Sequence, residues 1–222
     1  MLSGTQVLWE DKQPDYYYDL MLMRVMNPDA FDSEYQNDPV SENQRTFKED
    51  WFQYWEILPD IKQIYIAVDP SLAKTTKSDR SAIVTIGRGL DNFLYVIEAD
   101  IARRKPDKII DDLISKCITY QDKLVKVGIE TIQFQYFFAQ ECGRRALAQN
   151  IALPIEPLQN MSDKELRIKG LVPLIKNGYI KFNRNQKILL NELRRFPKGS
   201  DDGMDALKSA TDLVFPNGKN IP

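Results

Sequence analysis

Two apolar segments of this chain each end in an acid, and an acid-rich helix start follows much later. The segments are Ile64-Tyr65-Ile66-Ala67-Val68-Asp69 and Leu124-Val125-Lys126-Val127-Gly128-Ile129-Glu130; the helix start is Ser200-Asp201-Asp202-Gly203-Met204-Asp205-Ala206-Leu207. Carboxylates are hard oxygen ligands, and several gathered at one point repel one another unless a cation neutralises them. A fold that brings these acids together is expected to hold divalent metal, and metal held by carboxylates is suited to cleaving phosphodiesters.

The helix places its acids by simple geometry. Asp202 and Asp205 lie roughly 60° apart around the axis, and Ala206, Ser209 and Leu213 continue the same stripe. These small or apolar residues can approach a sheet closely, so the inward stripe carries acids on its first turn. Asp201 is the alternative, as an N-cap or a third acid. Acids at strand ends also serve turns, and acids at a helix start complement its dipole. The dipole accounts for one or two acids near 201–205, but not for acids that end two interior strands. Asp69 is expected to bridge two divalent ions, with Glu130 and the helix acids completing one ion each. Magnesium or manganese suits such all-oxygen ligation. Asp79 opens the next strand, where it either joins the acids or orders the loop of residues 70–80; the loop role is preferred.

The elements that must position these acids read as follows. Residues 64–69 have apolar side chains on both faces, as a central strand does. Residues 81–87 and 93–100 are two more strands, joined by a hairpin at Gly87-Arg88-Gly89-Leu90-Asp91-Asn92. Ile109, Ile110, Leu113, Ile114 and Cys117 recur at helical spacing over 106–120. A fourth strand at 124–130, a helix at 134–149 and a short strand at 151–157 follow. A helix begins at Ser162-Asp163-Lys164-Glu165, bends or breaks at Pro173 and stops at Asn177-Gly178. Residues 179–183 are a candidate short strand, and 186–195 and 202–214 are helices. The fold class is α/β: a mixed five-stranded sheet, its first three strands an antiparallel meander and the rest parallel, flanked by helices. Two strands that are parallel neighbours deliver Asp69 and Glu130 to one sheet edge, where ligand sites of open α/β sheets lie.

Residues 1–62 have a different texture, rich in aromatic and acidic residues and carrying Pro14, Pro28, Pro39 and Pro59. They read as a connecting segment with helices at 16–26 and 30–36, ahead of a domain at 63–222.

Composition narrows the chemistry. The 222 residues include 43% hydrophobic ones, enough for a substantial core, and the net charge is −2. That balance leaves nucleic-acid binding to the distribution of charge. Lys164, Arg167, Lys169, Lys176, Lys181, Arg184, Lys187, Arg194, Arg195 and Lys198 precede the acidic helix, and Lys74 and Lys77 follow Asp69. Lys74, Lys77, Lys164, Arg167 and Lys198 are the candidate DNA contacts. The chain contains no histidine, which excludes Ser-His-Asp and Cys-His catalysis and histidine-ligated zinc. Cys117 and Cys142 sit among apolar neighbours and read as buried reduced thiols of an intracellular protein. No apolar run is long enough to cross a bilayer.

These residues in this order resemble the nuclease domain of the phage large terminase subunit. The resemblance rests on Val68-Asp69-Pro70-Ser71, Asp79-Arg80-Ser81-Ala82-Ile83-Val84, Gly128-Ile129-Glu130-Thr131, Lys164-Glu165-Leu166-Arg167-Ile168, Pro173-Leu174, Gly178-Tyr179-Ile180-Lys181-Phe182 and Asp201-Asp202-Gly203-Met204-Asp205-Ala206-Leu207, and covers about residues 60–215. It implies a ribonuclease H-like fold with acid-ligated divalent metals, and metal roles for Asp69, Glu130 and the helix acids. Family members often have histidine beside the final acidic motif; here Ser200 precedes the two aspartates. It further implies an endonuclease that cuts concatemeric viral double-stranded DNA during packaging. The implied partners are a portal protein, a small terminase subunit and the ATPase domain of the same subunit, in the cytoplasm of an infected or lysogenic bacterial host. Phe31-Asp32-Ser33-Glu34-Tyr35-Gln36-Asn37-Asp38-Pro39 resembles the end of the terminase ATPase domain, yet no Gly-x-x-x-x-Gly-Lys-Ser/Thr loop is present. The chain therefore reads as a carboxyl-terminal fragment or the downstream piece of a split gene, without ATPase activity. Two other readings use the same residues: a ribonuclease H-like resolvase or transposase, and a non-catalytic module that docks a portal or DNA.

Overall fold

Three strands of nine residues each, β2 (Ile61–Asp69), β3 (Ser81–Gly89) and β4 (Leu94–Ala102), form the centre of a seven-stranded sheet. The computed structural model describes residues 15–26, 31, 45–70, 80–130, 135–158 and 163–216. They fall into two units, Met1–Arg45 and Thr46–Pro222. In the first, the helix expected over 16–26 is α1 (Asp15–Met26); the short helix expected at 30–36 lies outside the described residues, Phe31 excepted.

In the second unit, a 3-10 turn (Glu49–Trp51) leads into β1 (Gln53–Tyr54). After β4 come α2 (Pro106–Thr119), β5 (Leu124–Glu130), α3 (Gln135–Leu147) and β6 (Ile155–Leu158). Then follow α4 (Lys164–Lys169), α5 (Val172–Lys176), β7 (Ile180–Phe182), α6 (Lys187–Arg195) and α7 (Asp202–Val214). The strand order is β1-β7-β4-β3-β2-β5-β6. β3 is antiparallel to both its neighbours and every other pairing is parallel. The carboxyl ends of β2, β4, β5 and β6 therefore point to one sheet edge.

The sheet is mixed, with the antiparallel meander first, and it has seven strands where five were expected. One added strand is β7, three residues within the candidate strand at 179–183; the other is β1, of two residues, in the stretch read as a connector. A segment as short as β1 carries no readable alternation and forms because a neighbouring strand offers its edge. Phe47, Phe52 and β1, from the stretch read as a connector, pack into this unit.

Alternation along β2 assigns its two faces. Ile64, Ile66 and Val68 pack with Ile109, Ile110, Leu113, Ile114 and Cys117 of α2 and with Phe138 and Cys142 of α3. Tyr65 and Ala67 face the other way, onto a core built with α4 to α7. Both faces are thus covered, as the apolar run at 64–68 requires. Cys117 and Cys142 are buried free thiols, and burial pushes both up to about 12. No helix among the described residues is long and apolar enough to cross a membrane.

The helix expected from Ser162 toward Lys176 is two helices. Asp163 caps the first by accepting the Leu166 N–H at 3.0 Å, and Gly170–Leu171 breaks the chain direction. Pro173 then sits in the first turn of α5, where its missing N–H costs nothing. Gly178 ends α5 at φ 71°, as the Asn-Gly pair foretold.

Gly128 sets how closely α7 approaches β5. A Cβ there would stand 2.7 Å from Leu158 Cδ1 and 3.0 Å from Leu213 Cδ1. A branched side chain must displace both leucines. Gly128→Val is expected to lower stability by about 1–3 kcal/mol, read as a lower urea midpoint at unchanged slope.

Candidate metal centre

Strand register brings the first two acids together. Val68 of β2 pairs with Ile129 of β5, so Asp69 and Glu130 are the next residues on adjacent parallel strands. Strands lie about 4.8 Å apart, and both acids project from the face that α7 covers. Ala67 and Gly128, a pair immediately before them on that face, leave room for the helix.

α7 supplies the third acid. Gly203, Met204, Asp205, Ala206, Leu207, Ser209, Ala210, Thr211 and Leu213 are all buried. Asp205 sits on the first turn at 3% exposure, while Asp69 is 9% exposed. One carboxylate oxygen from each of Asp69, Glu130 and Asp205 lies within 4.8 Å of the others. Of the predicted acids, these three converge. Asp201 stands just before the helix, its carbonyl accepting the Asp205 N–H at 2.9 Å. Asp202, half-buried, accepts a hydrogen bond from Ser200 Oγ at 2.7 Å. Neither belongs to the trio. Lys74, Lys77 and Asp79 lie outside the described residues.

Three carboxylates this close and this buried need positive charge. Two cations from α4 supply part of it. Arg167, 8% exposed at its side chain, pairs through Nη2 with Asp205 Oδ1, and its Nη1 is 4.0 Å from Glu130 Oε1. Its Nε is buried and has no hydrogen-bond partner among the described residues. Lys164 Nζ is 2.8 Å from Asp201 Oδ1 and 3.5 Å from Asp205 Oδ2. Burial alone would push the Lys164 ammonium down. The hydrogen bond to Asp201 and the charges of Asp205, Asp201 and Asp69 outweigh it, and its pKa stands above the ordinary lysine value. Lys164 and Arg167 were read from the sequence as DNA contacts on a rim; they stand against the acids. Lys198 is exposed in the turn before α7.

The donor set is hard oxygen throughout, with no nitrogen or sulfur, and suits magnesium, manganese or calcium rather than zinc. The trio can therefore hold a divalent cation.

Sequence reasoning did not single out Glu192. This buried residue of α6 accepts the Gly203 N–H at 2.9 Å through Oε2, and so caps α7 from a neighbouring helix. Gly203 admits it: a Cβ there would lie 2.6 Å from Glu192 Oε2 and 2.3 Å from Ile101 Cδ1. Burial, and then the charge of Asp202, push the Glu192 carboxyl up to about 7, against backbone hydrogen bonding from Gly203 and Met204 that favours its charged form. A folded-state pKa above the ordinary glutamate value of 4.5 means that stability falls as pH rises between them. Glu192→Gln keeps an acceptor for Gly203 and removes the charge. The variant is expected to gain on the order of 3 kcal/mol over the parent at about pH 8 and nothing at about pH 4, measured by urea unfolding at both values.

No family model matches the sequence, and no curated protein matches it. Solved structures do. The large terminase of a thermophilic bacteriophage superposes with a TM-score of 0.55 at 13% identity, over 77% of this chain and 45% of the terminase. The human cytomegalovirus terminase nuclease domain gives 0.55 at 18% identity, over 74% of this chain and 90% of that domain. The same domain soaked with manganese and bound to an inhibitor gives 0.54 at 15% identity, over 76% and 94%. The chain spans less than half of the phage protein but matches nearly all of the isolated nuclease domain. Its fold is that of terminase nucleases, a ribonuclease H-like mixed α/β sheet.

Proposed function

We propose that this chain is a divalent-metal-dependent DNA endonuclease of the terminase type, cutting concatemeric viral double-stranded DNA during packaging. The observation that carries this reading is the convergence of Asp69, Glu130 and Asp205 at one sheet edge, in a fold shared with a nuclease domain that was soaked with manganese. Asp69, Glu130 and Asp205 would hold the metal, as two ions of magnesium or manganese, with Asp201 and Asp202 at the rim. Bound there, the ions supply Lewis acidity and a water of lowered pKa. The chain's own residues do the rest. β2 and β5 fix two carboxylates on rigid strands, and Glu192 and Gly203 seat the helix that brings the third. Lys164 and Arg167 hold positive charge where a phosphate would arrive.

Residues 1–62 are proposed to be a linker and the end of a terminase ATPase domain, ahead of the nuclease domain. Portal protein, small terminase subunit and that ATPase domain are the proposed partners, in the cytoplasm of the bacterial host.

The test is supercoiled plasmid incubated with manganese or magnesium. Nicked and then linear products, absent with EDTA, are expected. Selective cutting of four-way junctions over plain duplex would instead make the chain a resolvase, and no cutting with any divalent ion would make it a docking module.

A further inference from the structure

Away from the acidic trio, the charge on this unit is uneven. Many of its cations are neutralised by neighbouring acids: Lys108 by Asp112, Lys116 by Glu98, Arg145 by Asp107 and Glu141, Lys126 by Glu156, Lys169 by Glu165 and Lys208 by Asp212. Helix α6 pairs its Arg194 with Glu49, but Lys187 on its exposed face meets no acid of the helix: the single acid, Glu192, is turned into the core. Arg184 precedes the helix and Lys198 follows it, both exposed.

Along this helix a cleft of about 110 Å³ opens, lined by Tyr54, Arg184, Lys187, Leu190 and Arg194. The Arg184 guanidinium lies over the Tyr54 ring, 4.1 Å from its centroid. That stacking holds the guanidinium by its face and leaves its N–H edge to donate. Glu49 reaches two residues of the cleft and is already engaged: Arg194 grips both its oxygens, one at 2.8 Å, and Tyr54 OH donates to it at 3.3 Å. Among the described residues, Arg184 and Lys187 pair with no carboxylate.

We infer that this cleft is a second nucleic-acid contact, which seats a backbone phosphate of duplex DNA between Arg184 and Lys187, apart from the metal centre. The lining offers two cationic donors that can meet one phosphate group. The planar donor fork of Arg184 and the point charge of Lys187 suit a phosphodiester oxygen pair. The helix gives the contact its use. α6 is about 13 Å long and runs from Arg184 and Lys187 toward the start of α7, where Asp205 stands. A duplex carries one phosphate charge per roughly 1.7 Å of axis, so one duplex laid along the helix reaches both places. The contact grips DNA beside the point of cutting without reading its sequence. The choice of DNA as the anion rests on the function proposed above.

The experiment uses the full chain in EDTA, so that binding is read without cleavage. Anisotropy of a labelled duplex of about 30 base pairs is followed across a potassium chloride series. Arg184→Glu/Lys187→Glu is expected to weaken binding about 10- to 100-fold, and to flatten the slope of log affinity against log salt by about 1. Lys62→Glu/Lys123→Glu, with the same change of net charge on exposed sites near the starts of β2 and β5, is the control and should keep the parent slope. An unchanged slope in the first variant, an equal loss in the control, or no binding by the parent chain overturns the inference. A parent chain that binds with the expected slope change but never cuts with any divalent ion rejects the nuclease reading and leaves the cleft standing. One that cuts while the cleft variant binds normally does the reverse.

Discussion

Asp69→Ala is expected to abolish metal-dependent nicking of supercoiled plasmid while leaving the chain folded. Asp69 ends the central strand β2, pairs across to Ala82 of β3 and stands beside Glu130 of β5. Its backbone is thus held from both sides. Removing it takes away one of three converging oxygens and leaves Glu130 and Asp205 to Arg167 and Lys164. A divalent ion then competes with two nearby cations for two carboxylates, and metal binding should fall below detection by calorimetry at millimolar manganese. Loss of the ion removes both water activation and leaving-group stabilisation, at least about a thousandfold in rate or roughly 4 kcal/mol of barrier. Stability should hold or rise, because the substitution removes a buried negative charge from a crowded acidic site. Nicking by the variant at the parent rate would remove Asp69 from the chemistry. A matching loss of melting temperature would make the effect one of folding instead.

The acids were legible because each ends a strongly patterned element. The apolar run Tyr65-Ile66-Ala67-Val68 before Asp69 can only be an interior strand, and a stripe of Ala206, Ser209 and Leu213 can only face a close neighbour. Which helix acid points inward was not legible. Asp202 and Asp205 share a stripe by angle, but Asp205 joins Asp69 and Glu130 while Asp202 accepts from Ser200. Gly203, between them, is seated against Ile101 and against Glu192 of another helix, and no local pattern reports that seat. Lys164 and Arg167 show the same limit. A basic run reads as a solvated face, and only the tertiary pairing of α4 with the start of α7 and the end of β5 brings both cations to the acids. β1 was hidden for another reason: two residues of strand are dictated by the partner edge, not by their own alternation.

Arg167→Ala carries the second large effect, and it separates a structural cation from one that shares its place with metal. The Arg167 and Asp205 side chains are 8% and 5% exposed, and they are paired. Breaking a buried pair by removing one partner costs roughly 3–5 kcal/mol, because the remaining charge stays buried. In EDTA the variant should melt roughly 10 °C below the parent. Manganese changes the comparison. An ion among Asp69, Glu130 and Asp205 supplies the charge that Arg167 gave, and it no longer displaces a guanidinium from Asp205. The variant should therefore bind manganese more tightly than the parent, and saturating metal should raise its melting temperature further, closing at least half of the gap. Differential scanning fluorimetry with EDTA and with millimolar manganese reads both quantities. A gap that is the same in the two buffers would mean that Arg167 packs the site without competing for it. The direction of the change decides the role of α4: a helix that keeps three acids together until metal arrives must lose part of its hold when the metal is bound.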